Sequence, residues 1–222
     1  IKARTRVYRI LRTRLKQGHR TTRFPDGPPP DMPDRFRGCP SSVPEKCVAG
    51  CRACLEACPT GALLRDETLR VDLGRCLFCG ACREACPTGA LDHASDYRLA
   101  VRDRADLVAD TATATVRLAA TLEKKTRRIF GRSFRLRQVS AGGCNACEAD
   151  TNVLGTIGWD LGRFGIQFVA SPRHADGLLV TGPVTENMEL ALSKTWAAVP
   201  EPKVLIAVGS CSISGGPWRG LP

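Results

Sequence analysis

A chain of 222 residues with 43% hydrophobic and 25% charged side chains has the make-up of a globular protein of one large or two small domains and excludes a disordered one. No apolar run approaches the roughly 18 residues of a membrane span, and twelve cysteines without an apolar secretory segment argue against a disulfide framework and for a reducing cytosol. The net charge of +11 is uneven: residues 1–37 carry 11 basic and 3 acidic side chains and residues 99–137 carry 10 and 4, against 7 and 8 in residues 38–98 and 5 and 7 in residues 138–222. Two near-neutral modules are thus flanked by basic segments.

In residues 1–17, Val7, Tyr8, Leu11 and Leu15 form a stripe among Arg4, Arg6, Arg9, Arg12, Arg14 and Lys16, which predicts a short basic amphipathic helix ending near Gly18. Such a helix suits an anionic lipid surface or an acidic partner subunit, or it packs its stripe on its own domain. No aromatic or glycine-loop RNA module accompanies the charge, so nucleic acid is not expected. Prolines 25, 28–30, 33, 40 and 44 predict an extended covering segment, which includes Cys39.

Eight cysteines then appear in two copies of one pattern: Cys47, Cys51, Cys54, Cys58-Pro59 and Cys76, Cys79, Cys82, Cys86-Pro87. Both copies continue as Pro-Thr-Gly-Ala-Leu, the mark of a duplication, and the pattern is that of a protein holding two iron–sulfur clusters. Three soft thiolates on two-residue spacers reach adjacent corners of a cubane, while the fourth, before proline, points to the other cluster. Cys47, Cys51, Cys54 and Cys86 are therefore expected to hold one 4Fe–4S cluster, and Cys76, Cys79, Cys82 and Cys58 the second. Zinc, which uses four-ligand C-x2-C pairs, often with histidine, fits this order poorly. The spacer Val48-Ala49-Gly50 is one residue longer than the pattern; Gly50 is expected to absorb it in a left-handed turn, with Cys39 as the alternative ligand to Cys47. Leu69–Leu73 alternates as a short strand between the repeats.

Residues 97–130 read as a helix followed by a basic connector ending in Lys124-Lys-Thr-Arg-Arg128. From Phe134 the pattern becomes α/β: strands at Phe134–Val139, Gly165–Ala170, Gly177–Val180 and a buried one at Lys203–Val208, with helices at about 148–160 and at Thr185–Ala198. Cys144, Cys147 and Cys211 follow predicted strands in glycine-rich loops and should converge at one sheet edge as a metal or cluster site lacking a fourth ligand. The expected division is a basic arm and Pro-rich segment (1–37), a dicluster domain (38–98), a helical basic connector (99–132) and an α/β domain (133–222).

Residues from about 20 to 100 resemble the two-cluster ferredoxin-type subunit of complex I and of the related membrane-bound NiFe hydrogenases and formate hydrogenlyases. Residues from about 126 to 222 resemble the small subunit of those enzymes, on Arg128-Ile-Phe-Gly-Arg-Ser133, Gly143-Cys-Asn-Ala-Cys-Glu148, Ser171-Pro-Arg-His-Ala-Asp176, Leu179-Val-Thr-Gly-Pro-Val-Thr185 and Gly209-Ser-Cys-Ser-Ile-Ser-Gly-Gly216. The resemblance implies an α+β dicluster ferredoxin domain followed by a flavodoxin-like α/β domain with a parallel sheet. It implies a third 4Fe–4S cluster on Cys144, Cys147 and Cys211, its fourth ligand supplied by a downstream Gly-Cys-Pro-Pro motif. That motif does not occur before Pro222 and the chain begins at Ile1, so a C-terminally truncated fragment is expected.

The spaced pair Cys144 and Cys147 resembles the hydrogenase branch, whereas the complex I subunit places its first two ligands side by side. By the same resemblance the partners are a NiFe hydrogenase-type large subunit, which carries the hydrogen chemistry, and membrane-arm subunits. The chain itself conducts electrons, holds no catalytic acid or base, and sits peripherally on the inner face of the cytoplasmic membrane, with residues 1–17 a candidate contact for anionic lipid. Glu148 is read as a neighbour of the third cluster or an interface group, and Arg173 and His174 as cluster-tuning or interface groups, against structural roles for all three. Two alternatives stand: the equivalent subunit of a complex I-like quinone oxidoreductase, and a free dicluster ferredoxin with a non-redox α/β appendage.

Overall fold

The computed structural model describes residues 2–18, 23, 27–28, 31–116 and 133–221, with side chains from Val7 onward. The basic segment forms α1 (Lys2–Gln17), which ends where the Gly18 N–H donates to Arg14 O at 3.0 Å. Among the described residues its apolar stripe stands open: Tyr8 is 66% and Leu15 84% exposed. Among the described residues no helix is long and apolar enough to cross a membrane.

The duplicated segment folds by exchange. The strand entering one cysteine loop pairs antiparallel with the strand leaving the other: β1 (Pro40–Ser42) with β4 (Leu91–His93), and β2 (Leu63–Arg65) with β3 (Leu69–Asp72). Short helices α2 (Ala53–Glu56) and α3 (Ala81–Glu84) occupy equivalent places in the two copies. The alternating strand residues Leu63, Leu69, Val71 and Leu91 are buried in one core with Cys39 and Cys54.

The helix expected over residues 97–130 does not form in its described part. The chain instead makes a 3-10 turn at Arg104–Leu107 and a strand, β5 (Val108–Asp110), antiparallel to β3. Leu107, Ala109 and Thr111 are buried while Val108 and Asp110 are half-buried, a period of two that suits a strand and not a helix. Polar ties fix it there. Arg104 donates to Asp72 Oδ2 at 2.7 Å, and the fully buried Thr111 hydroxyl donates to Leu69 O at 2.7 Å and meets Ser42 Oγ at 2.7 Å, joining the two small sheets. β5 thereby extends the N-terminal module past residue 98; residues 117–130 of the expected helix lie outside the described residues.

The second module is a parallel four-stranded sheet in the order β7-β6-β8-β9, with β6 (Phe134–Ser140), β7 (Ile166–Phe168), β8 (Gly177–Thr181) and β9 (Val204–Val208). Helices α4 (Ala146–Val153), α5 (Glu186–Ala198) and α6 (Ser210–Ser214) follow β6, β8 and β9. α4 stops short of the expected Asp160, where Gly155 and Gly158 disfavour continuation. Every residue of the central β8 is buried, and its Leu178 and Val180 pack with Val139, Ala141 and Val199 against Met188, Leu192 and Trp196 of α5. β9 is not the buried strand expected. Among the described residues it has a single strand neighbour, and its Leu205, 57% exposed, lines an open groove with Leu192 and Trp196. Ile213 of α6 packs against the core of the N-terminal module, so the two modules touch beside Cys211 of the same short helix.

Leu178→Ala is expected to lower the stability of the α/β module by about 2–5 kcal/mol, the cost of a cavity at a fully buried leucine, while Leu205→Ala stays within about 0.5 kcal/mol. Tryptophan fluorescence during denaturant unfolding separates them, because Trp159, Trp196 and Trp218 all lie in this module.

Candidate metal centres

Two cysteine quartets face two cavities. Cys58, Cys76, Cys79 and Cys82 line one, and Cys47, Cys51, Cys54 and Cys86 line the other. These are the groupings expected from the spacing, each completed by a cysteine of the other repeat. Among the described residues no three His, Cys, Asp or Glu side chains converge on a point as a single-ion site requires; the sulfurs surround a space instead.

The identical Cys-Pro-Thr-Gly-Ala-Leu turns explain how the exchange is fixed. The Thr60 hydroxyl donates to Arg75 O at 2.8 Å, immediately before Cys76, and the Thr88 hydroxyl donates to Lys46 O at 2.7 Å, immediately before Cys47. Each turn therefore grips the start of the loop whose cysteines its own cysteine joins. The same turns supply donors to sulfur: the Ala62 N–H reaches Cys58 Sγ at 3.2 Å. Burial pushes Cys58 up, but the N–H groups of Thr60, Ala62 and Leu63 outweigh it and hold the thiol below its usual range. Cys86 is treated alike, with the N–H groups of Leu91, Thr88 and Ala90 and the Thr88 hydroxyl outweighing burial. Burial prevails at the other shifted cysteines of the quartets, raising Cys54 and Cys82 and pushing Cys76 up to about 12, the direction that a bound metal, taking the proton's place, reverses.

The long spacer is accommodated as expected. Gly50, directly before Cys51, has φ +74°, and Phe78, directly before Cys79, has φ +52°, so both loops deliver their second cysteine through the same left-handed step. Arg65 donates to Cys47 Sγ at 2.7 Å. Cys39, the alternative ligand, is fully buried in the core and lines neither cavity; burial pushes its thiol up to about 11. The residues fit a 4Fe–4S group at both sites: four soft sulfurs each, with N–H or guanidinium donors aimed at the sulfur.

In the second module, parallel strands bring the three remaining cysteines to the carboxyl edge of the sheet. Cys144 lies exposed in the loop after β6, Cys147 in the first turn of α4, and Cys211 in the first turn of α6 after β9. The β9 loop runs close to Cys147: a Cβ on Gly209 would stand 2.4 Å from its Sγ, and the backbone there has φ +86°, a conformation that favours glycine. Burial raises Cys147, and the neighbouring Cys211, Glu148 and Cys144 add to it; burial and Cys144 raise Cys211 likewise. Repulsion among three sulfurs is the arrangement a cation relieves.

Glu148 is buried and accepts hydrogen bonds from the Ser140 hydroxyl at 2.5 Å and the Thr181 hydroxyl at 2.7 Å, which hold its carboxyl below the usual range. It ties the start of α4 to β6 and β8, one residue from Cys147, whose thiol its charge helps to raise. Arg173 and His174 sit exposed before β8, at the amino edge of the sheet, and so lie away from the cysteines because a parallel strand separates its two ends. Sequence reasoning passed over Arg65, Arg37 and His93, which contact the cysteine loops. The signal was present: Arg65 and His93 hold the same place after the two Cys-Pro turns.

Residues 46–90 match the family described as 4Fe-4S dicluster domain, and residues 144–222 that described as NADH ubiquinone oxidoreductase, 20 Kd subunit. The chain is 41% identical over 104 residues to formate hydrogenlyase subunit 7 of Escherichia coli, covering 47% of this chain and 39% of that one. It is 40% identical over 104 residues to the probable membrane-bound hydrogenase subunit mbhJ of Pyrococcus furiosus, covering 46% and 62%. It is 43% identical over 77 residues to an NADH-quinone oxidoreductase subunit of Clostridium beijerinckii, covering 34% and 46%. The chain thus spans from 39% to 62% of the length of these relatives. A dicluster ferredoxin segment and a 20 Kd-subunit segment with a flavodoxin-like parallel sheet are joined in one polypeptide, as the sequence led one to expect.

Glu148→Ala strands the Ser140 and Thr181 hydroxyls and is expected to cost about 1–3 kcal/mol, whereas Glu148→Gln, which keeps an acceptor oxygen, costs less. Denaturant unfolding followed by tryptophan fluorescence ranks the two; equal losses would contradict the bridging role.

Proposed function

We propose that this chain, a dicluster ferredoxin segment joined to a 20 Kd-subunit segment, conducts electrons within a membrane-associated NiFe hydrogenase-type complex. The observation that carries the reading is the pair of cavities, each lined by four cysteines and served by donors to sulfur. Cys47, Cys51, Cys54 and Cys86 hold one 4Fe–4S cluster, Cys58, Cys76, Cys79 and Cys82 the second, and Cys144, Cys147 and Cys211 contribute to a third. Such clusters, when bound, supply one-electron transfer in which no bond is made or broken. The protein's part is to bind them, neutralise sulfur charge and set their spacing; Ile213, packed on the N-terminal core two residues beyond Cys211, supports a continuous path between the modules.

Relatives named as subunits of formate hydrogenlyase and of a probable membrane-bound hydrogenase support a NiFe-bearing large subunit and membrane-arm subunits as partners. The open apolar stripe of α1, flanked by arginines, supports contact with an anionic membrane surface on the cytoplasmic side. A complex I-like quinone oxidoreductase is the second reading, favoured by the likeness to the NADH-quinone oxidoreductase relative. Recovery of the large subunit separates the two, since only the hydrogenase binds nickel.

Anaerobic iron analysis with EPR tests the assignment. The two quartets account for about eight irons per chain on four per cluster, and a third site raises the total toward about twelve. Cys47→Ala is expected to remove about half of the iron of the N-terminal module, and Cys39→Ala none; the reverse would assign Cys39 as the ligand. An iron content unaffected by the double variant Cys144→Ala, Cys147→Ala would leave the free dicluster ferredoxin as the better description. Leu11→Glu with Leu15→Glu is expected to weaken co-sedimentation with anionic vesicles by at least about tenfold, through loss of buried apolar area.

A further inference from the structure

Arg65 on β2 and His93 on β4 stand at the same place in the two repeats, each seven residues after the Cys-Pro cysteine. They face different quartets: Arg65 lines the cavity of Cys47, Cys51, Cys54 and Cys86, and His93 that of Cys58, Cys76, Cys79 and Cys82. The equivalence ends with the chemistry. Arg65 donates a charge-assisted hydrogen bond to Cys47 Sγ at 2.7 Å. His93 Nδ1 is buried without a hydrogen-bond partner among the described residues. Arg37 also approaches the second quartet, lying against Gly80, but its Nη1 donates to the carbonyls of Cys79 and Phe78, at 2.5 and 3.3 Å, and not to sulfur.

A positive charge bonded to a ligand sulfur favours the more negative, reduced state of the centre which that sulfur holds. We propose that the Arg65/His93 difference makes the two duplicated sites unequal, with Arg65 setting the site of Cys47, Cys51, Cys54 and Cys86 at the higher reduction potential. The exchange between them is a single electron: the site of Cys58, Cys76, Cys79 and Cys82 is oxidised, the Arg65 site is reduced, and no bond or proton changes place. Arg65 is a positioning residue for charge, acting through Cys47. The proposal rests on the assignment of 4Fe–4S clusters to the two quartets.

EPR-monitored redox titration of the full chain, loaded anaerobically, tests it on the wild type and on Arg65→Gln, Arg65→Lys and His93→Arg. Iron is counted first: a wild-type chain that takes up fewer than about eight irons fails the cluster assignment itself. With iron in place, the wild type is expected to show two separate midpoints. Arg65→Gln should lower one of them and leave the other, Arg65→Lys should restore it toward the wild-type value, and His93→Arg should raise the other. Coincident midpoints in the wild type overturn the proposal, as does an Arg65→Gln chain in which neither midpoint moves or both move together. If Arg65→Gln loses iron at its own site, His93→Arg decides, because it leaves Arg65 in place; an unmoved second midpoint then overturns the proposal. A purely structural role for either residue would change iron retention or unfolding without shifting a single midpoint.

Discussion

A sulfur that carries negative charge in a partly buried site must be met by donors, and the N-terminal module is folded around that requirement. The backbone of each Cys-Pro-Thr-Gly-Ala-Leu turn curls its N–H groups toward its own cysteine, and the threonine hydroxyl in the same turn grips the residue that opens the partner loop. One six-residue segment thus both stabilises a thiolate and decides which three cysteines it joins. The remaining architecture follows. The strands are three or four residues long, the helices four, and the apolar core is small, which is the regime in which a bound inorganic group commonly replaces a large core.

The second module meets the same need by another route. A parallel sheet delivers loops from β6 and β9 to a single edge, so cysteines more than sixty residues apart in sequence repel one another across a short gap. Gly209 of the β9 loop lies close against Cys147, and Glu148, held by two hydroxyls, ties α4 to β6 and β8.

The grouping of the cysteines around two cavities was legible because their spacing is regular, and duplication wrote that spacing twice. The parallel sheet was legible because short apolar strands alternated with amphipathic segments from Phe134 onward. β5 was not: three residues just before a threonine-rich stretch carry too little periodicity, and the strand exists because Asp72, Leu69 and Ser42 are waiting for Arg104 and Thr111. The exposure of β9 was hidden for a related reason, since Val-Leu-Ile-Ala-Val reads as buried whatever its position in the sheet, and strand order is a tertiary property. Arg65 and His93 escaped notice because each is unremarkable alone. Their meaning appears only when the two repeats are laid over one another and the cavities are seen to differ.

The crossed strand pairing also governs how this protein tolerates change. Because β1 is completed by β4 and β3 by β2, neither repeat contains both members of a strand pair linking it to its own entry, and one copy alone has no closed sheet and no complete quartet. Lengthening a strand in one copy would slip its register against residues of the other, turning alternate side chains from the core to the surface. The stretch between the first two cysteines of each copy joins no strand, and the one difference in length between the copies, Val48-Ala49-Gly50 against Leu77-Phe78, falls there. The extra residue of the first copy thus lies in a cysteine loop, where no strand register depends on it, while the interlocked strands tie the register of each copy to the other.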